Sequence, residues 1–228
     1  MPLIEMKSVN KNYILGDTVV KALQGIDLVI DRGELVAVWG PSGSGKTTLL
    51  NILGSIDEPT AGDVTMAGTH VGALSDNEKS ELRNKSIGFV FQNFSLVPVL
   101  SALENVMLPL QIAGVSSARA KTQALARLQE VGLNDLIHHR PFKMSGGQQQ
   151  RVAIARALAN DPSVVIADEP TANLDTETAR MIIDIMRALN ETNGITFIFS
   201  THDERLLKSV KRLIRLEDGR IVDGGRGQ

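Results

Sequence analysis

The sequence predicts an α/β fold: a mostly parallel sheet, antiparallel β elements at the N-terminal end and an α-helical lobe inserted between two strands. Three observations predict it. Short apolar or β-branched runs alternate with helix-like stretches, the pattern of strands covered by helices on both faces. A glycine-rich loop stands between one such run and a helix. From residue 94 to about 160 the alternation stops and helical patterns take over.

The bulk properties admit this fold. A length of 228 residues suits one large domain with a small attached lobe. With 43% hydrophobic and 22% charged residues the composition is that of a folding chain, which excludes disordered and fibrous classes. The 24 Lys and Arg against 26 Asp and Glu leave a net charge of −2, so no global field attracts nucleic acid, and no nucleic-acid partner is expected. The absence of cysteine removes disulfides and thiolate metal sites and agrees with a reducing compartment. The first seven residues lack a signal-peptide pattern and no run of about 18 apolar residues occurs, so the chain is not expected to cross a membrane.

Taken in order, residues 3–9 and 26–30 read as strands, and Asp31-Arg32-Gly33 turns into a third at 34–39. That third run is continuously apolar and reads as buried on both faces. Residues 46–53 contain no helix breaker and end at Gly54, predicting a helix. Runs at 87–91, 164–167 and 195–200 read as buried strands. Between the last two, Ala179, Ile182, Ile183, Met186 and Leu189 mark one face of a helix that Asn193-Gly194 stops. Within 94–160, residues 102–108 lie between Pro98 and Pro109, 117–131 are helical in pattern, and 148–160 form another helix. A hairpin of 213–216 and 220–222 turns at Asp218-Gly219. The expected organisation is a single domain over 1–228, its core from 1–93 and 161–228 and its helical lobe from 94–160.

Gly40, Pro41, Ser42, Gly43, Ser44, Gly45, Lys46 and Thr47 fit G-x-x-x-x-G-K-[ST], after a buried strand and before a helix, where the motif needs to be. Glycines let successive backbone N–H groups converge on phosphate oxygens, and the helix start adds its positive end. Lys46 is expected on the β- and γ-phosphates and the Thr47 hydroxyl on Mg²⁺, with Thr48 completing the set. The strand 164–167 ends in Asp168-Glu169 at the edge where open α/β sheets bind ligands. Asp168 is expected to hold Mg²⁺ through water, and Glu169 to orient and deprotonate the attacking water. These residues describe a P-loop NTPase core.

The discriminating stretch is Met144-Ser145-Gly146-Gly147-Gln148. It resembles the Leu-Ser-Gly-Gly-Gln signature of ABC ATPases, with Met144 in the place of leucine, a change that keeps volume and apolar character. Ser145 and Gln148 also fit a capping box, an ordinary helix start that is compatible with the signature. The resemblance implies ATP as nucleotide and a head-to-tail pair of cassettes, in which the signature of one seals the ATP of the other. It places Gln92 as the glutamine touching Mg²⁺ and the attacking water, Asp175 in the loop crossing the pair, His202 at the γ-phosphate and Tyr13 against adenine. Asp175 also fits a helix N-cap, and an aromatic residue near a strand end can equally be core.

Residues 49–57, 103–106 and 167–175 resemble the cassettes of lipoprotein release and macrolide-type efflux, with Ala172 where glycine is common. The resemblance implies a homodimer at the cytoplasmic face of the inner membrane, bound to permease subunits and driving export or extraction. The apolar stretch 94–110 is either lobe core or part of a groove for a permease helix. Repair-type cassettes carry a coiled coil between cradle and signature, for which the 99 residues from Lys46 to Ser145 leave no room. A nucleotide-dependent scaffold of the division type is the remaining alternative. Only 26 residues follow His202, too few for the regulatory domain of some sugar importers.

Overall fold

The computed structural model describes residues 1–204, 207 and 210–224. The chain opens with a long hairpin, β1 (Ile4–Leu15) and β2 (Thr18–Ile30), paired from Ile4↔Ile30 to Leu15↔Thr18. Both strands extend well beyond the expected 3–9 and 26–30, because the pairing carries polar residues that show no alternation and the register shifts at bulges along the way. β3 (Leu35–Trp39) and α1 (Lys46–Leu53) follow as expected. Next come β4 (Ala61–Met66), β5 (Thr69–His70) and α2 (Asp76–Ser86), none of which the sequence predicted. β4 pairs with β1, giving a four-stranded antiparallel sheet in the order β2-β1-β4-β5.

The second sheet is built from β6 (Ile87–Val90), β7 (Val164–Ala167), β8 (Thr196–Thr201), β9 (Arg212–Glu217) and β10 (Arg220–Asp223) together with β3, in the order β10-β9-β3-β8-β7-β6. All its pairs are parallel except β9 with β10. Its inner strands β3, β7 and β8 are buried along nearly their whole length because each face meets a different core, whereas β9 and β10 at one edge carry charged residues. Val36, Val38, Val164, Ile166 and Ile198 join α1 and the antiparallel sheet, whereas Ala37, Val165, Ala167, Phe197 and Phe199 face the helices on the other side. Phe197 and Phe199 are fully buried, each contributing about 2–3 kcal/mol of apolar burial.

Between β6 and β7 run α3 (Ala102–Ile112), α4 (Ser117–Glu130) and α5 (Gly146–Ala157). α3 passes through Pro109, where the sequence had ended the helix; the proline sits in the last turn, where its missing N–H costs one bond. α5 starts two residues earlier than expected, directly after its cap. α6 (Thr176–Asn193) buries all five predicted apolar positions and stops at Gly194 in the left-handed region. In the apolar stretch, Leu103, Val106 and Leu110 are core, while Val99 is exposed. No helix among the described residues is long and apolar enough to cross a membrane.

α5 lies against β6 through Gly88, where an added Cβ would stand 2.3 Å from the carbonyl oxygen of Ala157. Gly88→Ala is expected to push the helix off the sheet and lower stability by about 2 kcal/mol in urea denaturation. A loss under about 0.5 kcal/mol would contradict this packing.

Candidate functional site

The loop from Gly40 to Gly45 threads between other backbones at contact distance. A Cβ on Gly40 would sit 2.1 Å from the Leu216 carbonyl oxygen, and one on Gly45, at φ 104°, 2.5 Å from that of Ala22. Gly43 is also left-handed, at φ 81°. Lys46 is almost fully buried, its Nζ donating to Gly40 O at 2.9 Å and Pro41 O at 3.0 Å. An ammonium has three N–H donors, so these carbonyls leave capacity for an anion. Ser44 Oγ is buried without a hydrogen-bond partner.

Pro41, Ser42 and Thr47 are exposed and Thr48 is half-buried. α1 begins with no capping side chain and no acidic residue in its first turn, unlike α2, α3 and α6. Its N–H groups and positive end therefore suit phosphate.

Three further loops leave the same edge of the sheet. After β7, Ser200 on β8 links both acidic residues: its Oγ donates to Asp168 Oδ1 at 2.6 Å and accepts from Glu169 N at 2.8 Å. Glu169 adopts φ 45°, a left-handed conformation that costs on the order of 1 kcal/mol for a residue with a Cβ, and the Ser200 bond helps hold it there. His202, mostly exposed, places Nδ1 3.3 Å from Glu169 Oε1. Beyond β6, Gln92 is exposed, and its carbonyl accepts from Asn173 Nδ2 at 3.0 Å.

No cluster of three or more His, Asp or Glu forms a metal cage among the described residues. A single carboxylate such as Asp168 suits Mg²⁺, which keeps its waters and shares substrate phosphates.

Tyr13 is tied beside α1. Its Oη donates to Asp57 Oδ2 at 2.7 Å, Lys11 Nζ lies 2.6 Å from Asp57 Oδ1 and 5.0 Å from the Tyr13 ring centroid, and Asp57 N bonds Asn51 O at 3.2 Å near the end of the helix. Burial first, then the Asp57 hydrogen bond, raises the Tyr13 phenol above its usual pKa. Burial works to raise the Asp57 carboxyl too, but hydrogen bonds from Lys11, Tyr13 and Glu58 N outweigh it and hold it below the usual carboxylate range.

The predicted signature and Asp175 sit at the starts of α5 and α6. Ser145 caps α5, accepting from Gln148 N at 3.3 Å, while Gln148 Oε1 accepts from Ser145 N at 2.8 Å. A Cβ on Gly147 would press on Thr178, and one on Gly146 would meet Leu174, so this turn lies against the start of α6. Asp175 caps α6, accepting from Glu177 N and Thr178 N, both at 3.0 Å. The hydrogen bond from the Thr178 hydroxyl, then that from its backbone, lowers the Asp175 pKa. The far end of α5, at Ala157, packs on Gly88 of β6, while its signature end rests on α6 rather than on the loop of the cradle.

Residues 23–172 match the ABC transporter family. The chain belongs to that family. As an ABC ATPase cassette it binds ATP with Mg²⁺ and hydrolyses it. It is 47% identical over 225 residues to the lipoprotein-releasing system ATP-binding protein LolD of Anaeromyxobacter dehalogenans, covering 98% of this chain and 94% of that protein. To the macrolide export ATP-binding/permease protein MacB of Syntrophobacter fumaroxidans it is 48% identical over 223 residues, covering 97% of this chain and 31% of that one. The cassette thus spans about a third of the MacB relative. A dimeric post-hydrolysis structure of the ATP-binding cassette MJ0796 bound to ADP and Pi superposes with a TM-score of 0.90 at 42% identity, covering 99% of each chain.

Sequence reasoning named Ser200 only as the end of a strand and Asn173 only as part of a loop, and it missed Lys11 and Asp57. Their partners lie 32, 81, 46 and 44 residues away, and no local pattern announces such pairs. Ser200→Ala removes the acceptor of the strained Glu169 N–H. It is expected to lower kcat for ATP roughly tenfold, about 1.4 kcal/mol, with ATP affinity within about twofold of the parent. Parental kcat would show that Ser200 does not set the position of Glu169.

Proposed function

We propose that this cassette works as a head-to-tail homodimer that uses ATP to drive partner permease subunits in export or extraction of a lipoprotein, lipid, peptide or drug. The observation that carries this reading is the Glu169 carboxylate beside His202, on a residue whose backbone N–H Ser200 holds, at the edge that carries Lys46. In this reading Gly40 to Gly45 and Thr48 cradle the phosphates, Lys46 reaches the β- and γ-phosphates, and Tyr13 stacks on adenine. Thr47, Gln92 and, through water, Asp168 hold Mg²⁺, which neutralises phosphate charge. Glu169 takes the proton of the attacking water, Gln92 orients that water, and His202 meets the γ-phosphate.

Ser145, Gly146, Gly147 and Gln148 close on the ATP of the second copy, and Asp175 lies at the interface. The placing of the signature and the cradle on two different helix starts supports this, as does the dimeric state of the MJ0796 cassette. Residues 94–160 serve as a helical lobe that moves against a core of 1–93 and 161–228. A groove of about 250 Å³ beside the lobe, lined by Phe91, Ser95 and Pro109, is where a short permease helix docks at the cytoplasmic face of the inner membrane. A division-type scaffold is less favoured, because LolD and MacB are named for lipoprotein release and macrolide export.

Glu169→Gln is expected to retain ATP affinity while losing at least about 100-fold in kcat, and to elute as a dimer with Mg²⁺ and ATP. Hydrolysis at the parental rate, or a monomer under these conditions, would overturn the reading.

A further inference from the structure

Past Gln92 the chain turns through Phe94 at φ 59° and Ser95 at φ 48°, two successive residues in the left-handed region and neither of them glycine. Such a pair persists only where surrounding groups hold it. The holding group is Arg156, near the end of α5. Its Nη1 donates to Ser95 O at 2.5 Å and its Nη2 to Phe94 O at 2.9 Å, so each arm of one guanidinium fixes the carbonyl of one strained residue.

On the other side, Asn173 Nδ2 bonds Gln92 O at 3.0 Å and Asn93 Oδ1 at 3.3 Å. The loop is gripped from both flanks, by the helix that starts with the Ser145 signature and by the loop that follows Glu169. A guanidinium serving only to pack α5 on the sheet would find partners in the helix or in β6. These two carbonyls belong instead to the turn that follows Gln92.

We propose that Arg156 is a positioning residue for hydrolysis: it holds the turn at 94–95 in its left-handed form and thereby fixes where Gln92 stands. The planar, two-armed guanidinium suits a pair of adjacent carbonyls in a way that a lysine ammonium does not. The inference rests on the proposed role of Gln92 at Mg²⁺ and the attacking water. It adds a mechanical link from the signature helix to that glutamine, so a shift of α5 reaches the hydrolytic site through two hydrogen bonds.

The test uses the full chain and measures kcat and KM for ATP, nucleotide affinity and thermal stability. Arg156→Ala is expected to lower kcat at least tenfold with KM within twofold, and Arg156→Lys to recover only part of the loss. The decisive variant adds Ser95→Gly to Arg156→Ala. Glycine takes a positive φ without strain, so the double variant is expected to regain at least threefold in kcat over Arg156→Ala alone. A purely structural arginine would not be rescued by a glycine 61 residues away.

No recovery in the double variant, or a fall in kcat that only tracks a lost folded fraction, would overturn the proposal. Gln92→Ala separates the two levels. If it keeps parental kcat, the role given to Gln92 fails and the inference with it; if it loses kcat while Arg156→Ala does not, only the inference fails.

Discussion

A helix start offers backbone N–H groups to an anion, and this chain carries two glycine-flanked starts on separate elements, one at Lys46 and one at Gly146. The first, at Lys46, has no capping side chain and is wrapped by the glycine loop. The second, at Gly146, is capped by Ser145 and lies against Leu174 and the start of α6. A triphosphate carries several charges, and taking it out of water is costly unless donors surround it. One chain surrounds it from one side. The proposed pairing follows from that geometry, since a second copy turned head to tail supplies the missing donors.

The six-stranded sheet makes the candidate site rigid. Its strands are packed on both faces, so the loops leaving their C-terminal ends have little freedom at the root. Strain sits in those loops rather than in the strands. Glu169, Phe94 and Ser95 all carry positive φ, and each is held by a bond from a distant residue: Ser200 for the first, Arg156 for the other two. These strained loop residues are thus poised by a few hydrogen bonds, which a small displacement of α5 or of the strand that carries Ser200 would alter.

What the sequence made legible was local. The cradle is a contiguous motif, the buried strands are contiguous apolar runs, and α6 shows its face at regular spacing. Where the deciding contact is remote or the element lacks a pattern, the reading failed. α2 buries only Lys79 and has no apolar stripe, so no periodicity announces it. β4 begins Ala-Gly-Asp, which reads as a turn, yet Gly62 is there because the backbone of Ser8 passes 2.4 Å from where its Cβ would be. The outer halves of β1 and β2 are strands because they pair with each other, not because their residues alternate. In the site the same division holds: the acidic pair was visible, but the hydroxyl that organises it comes from another strand.

Because the chain has no cysteine, the pairing can be tested with two single-cysteine versions, one with Ser42→Cys on the cradle and one with Ser145→Cys at the signature. Mixed in equal amounts with Mg²⁺ and ATP and treated with a short thiol cross-linker, they should yield a covalent dimer of one chain of each kind, dependent on nucleotide. A mixture that gives no such dimer, or a Ser145→Cys chain that couples to itself just as well, would contradict the claim that each copy completes the nucleotide site of the other.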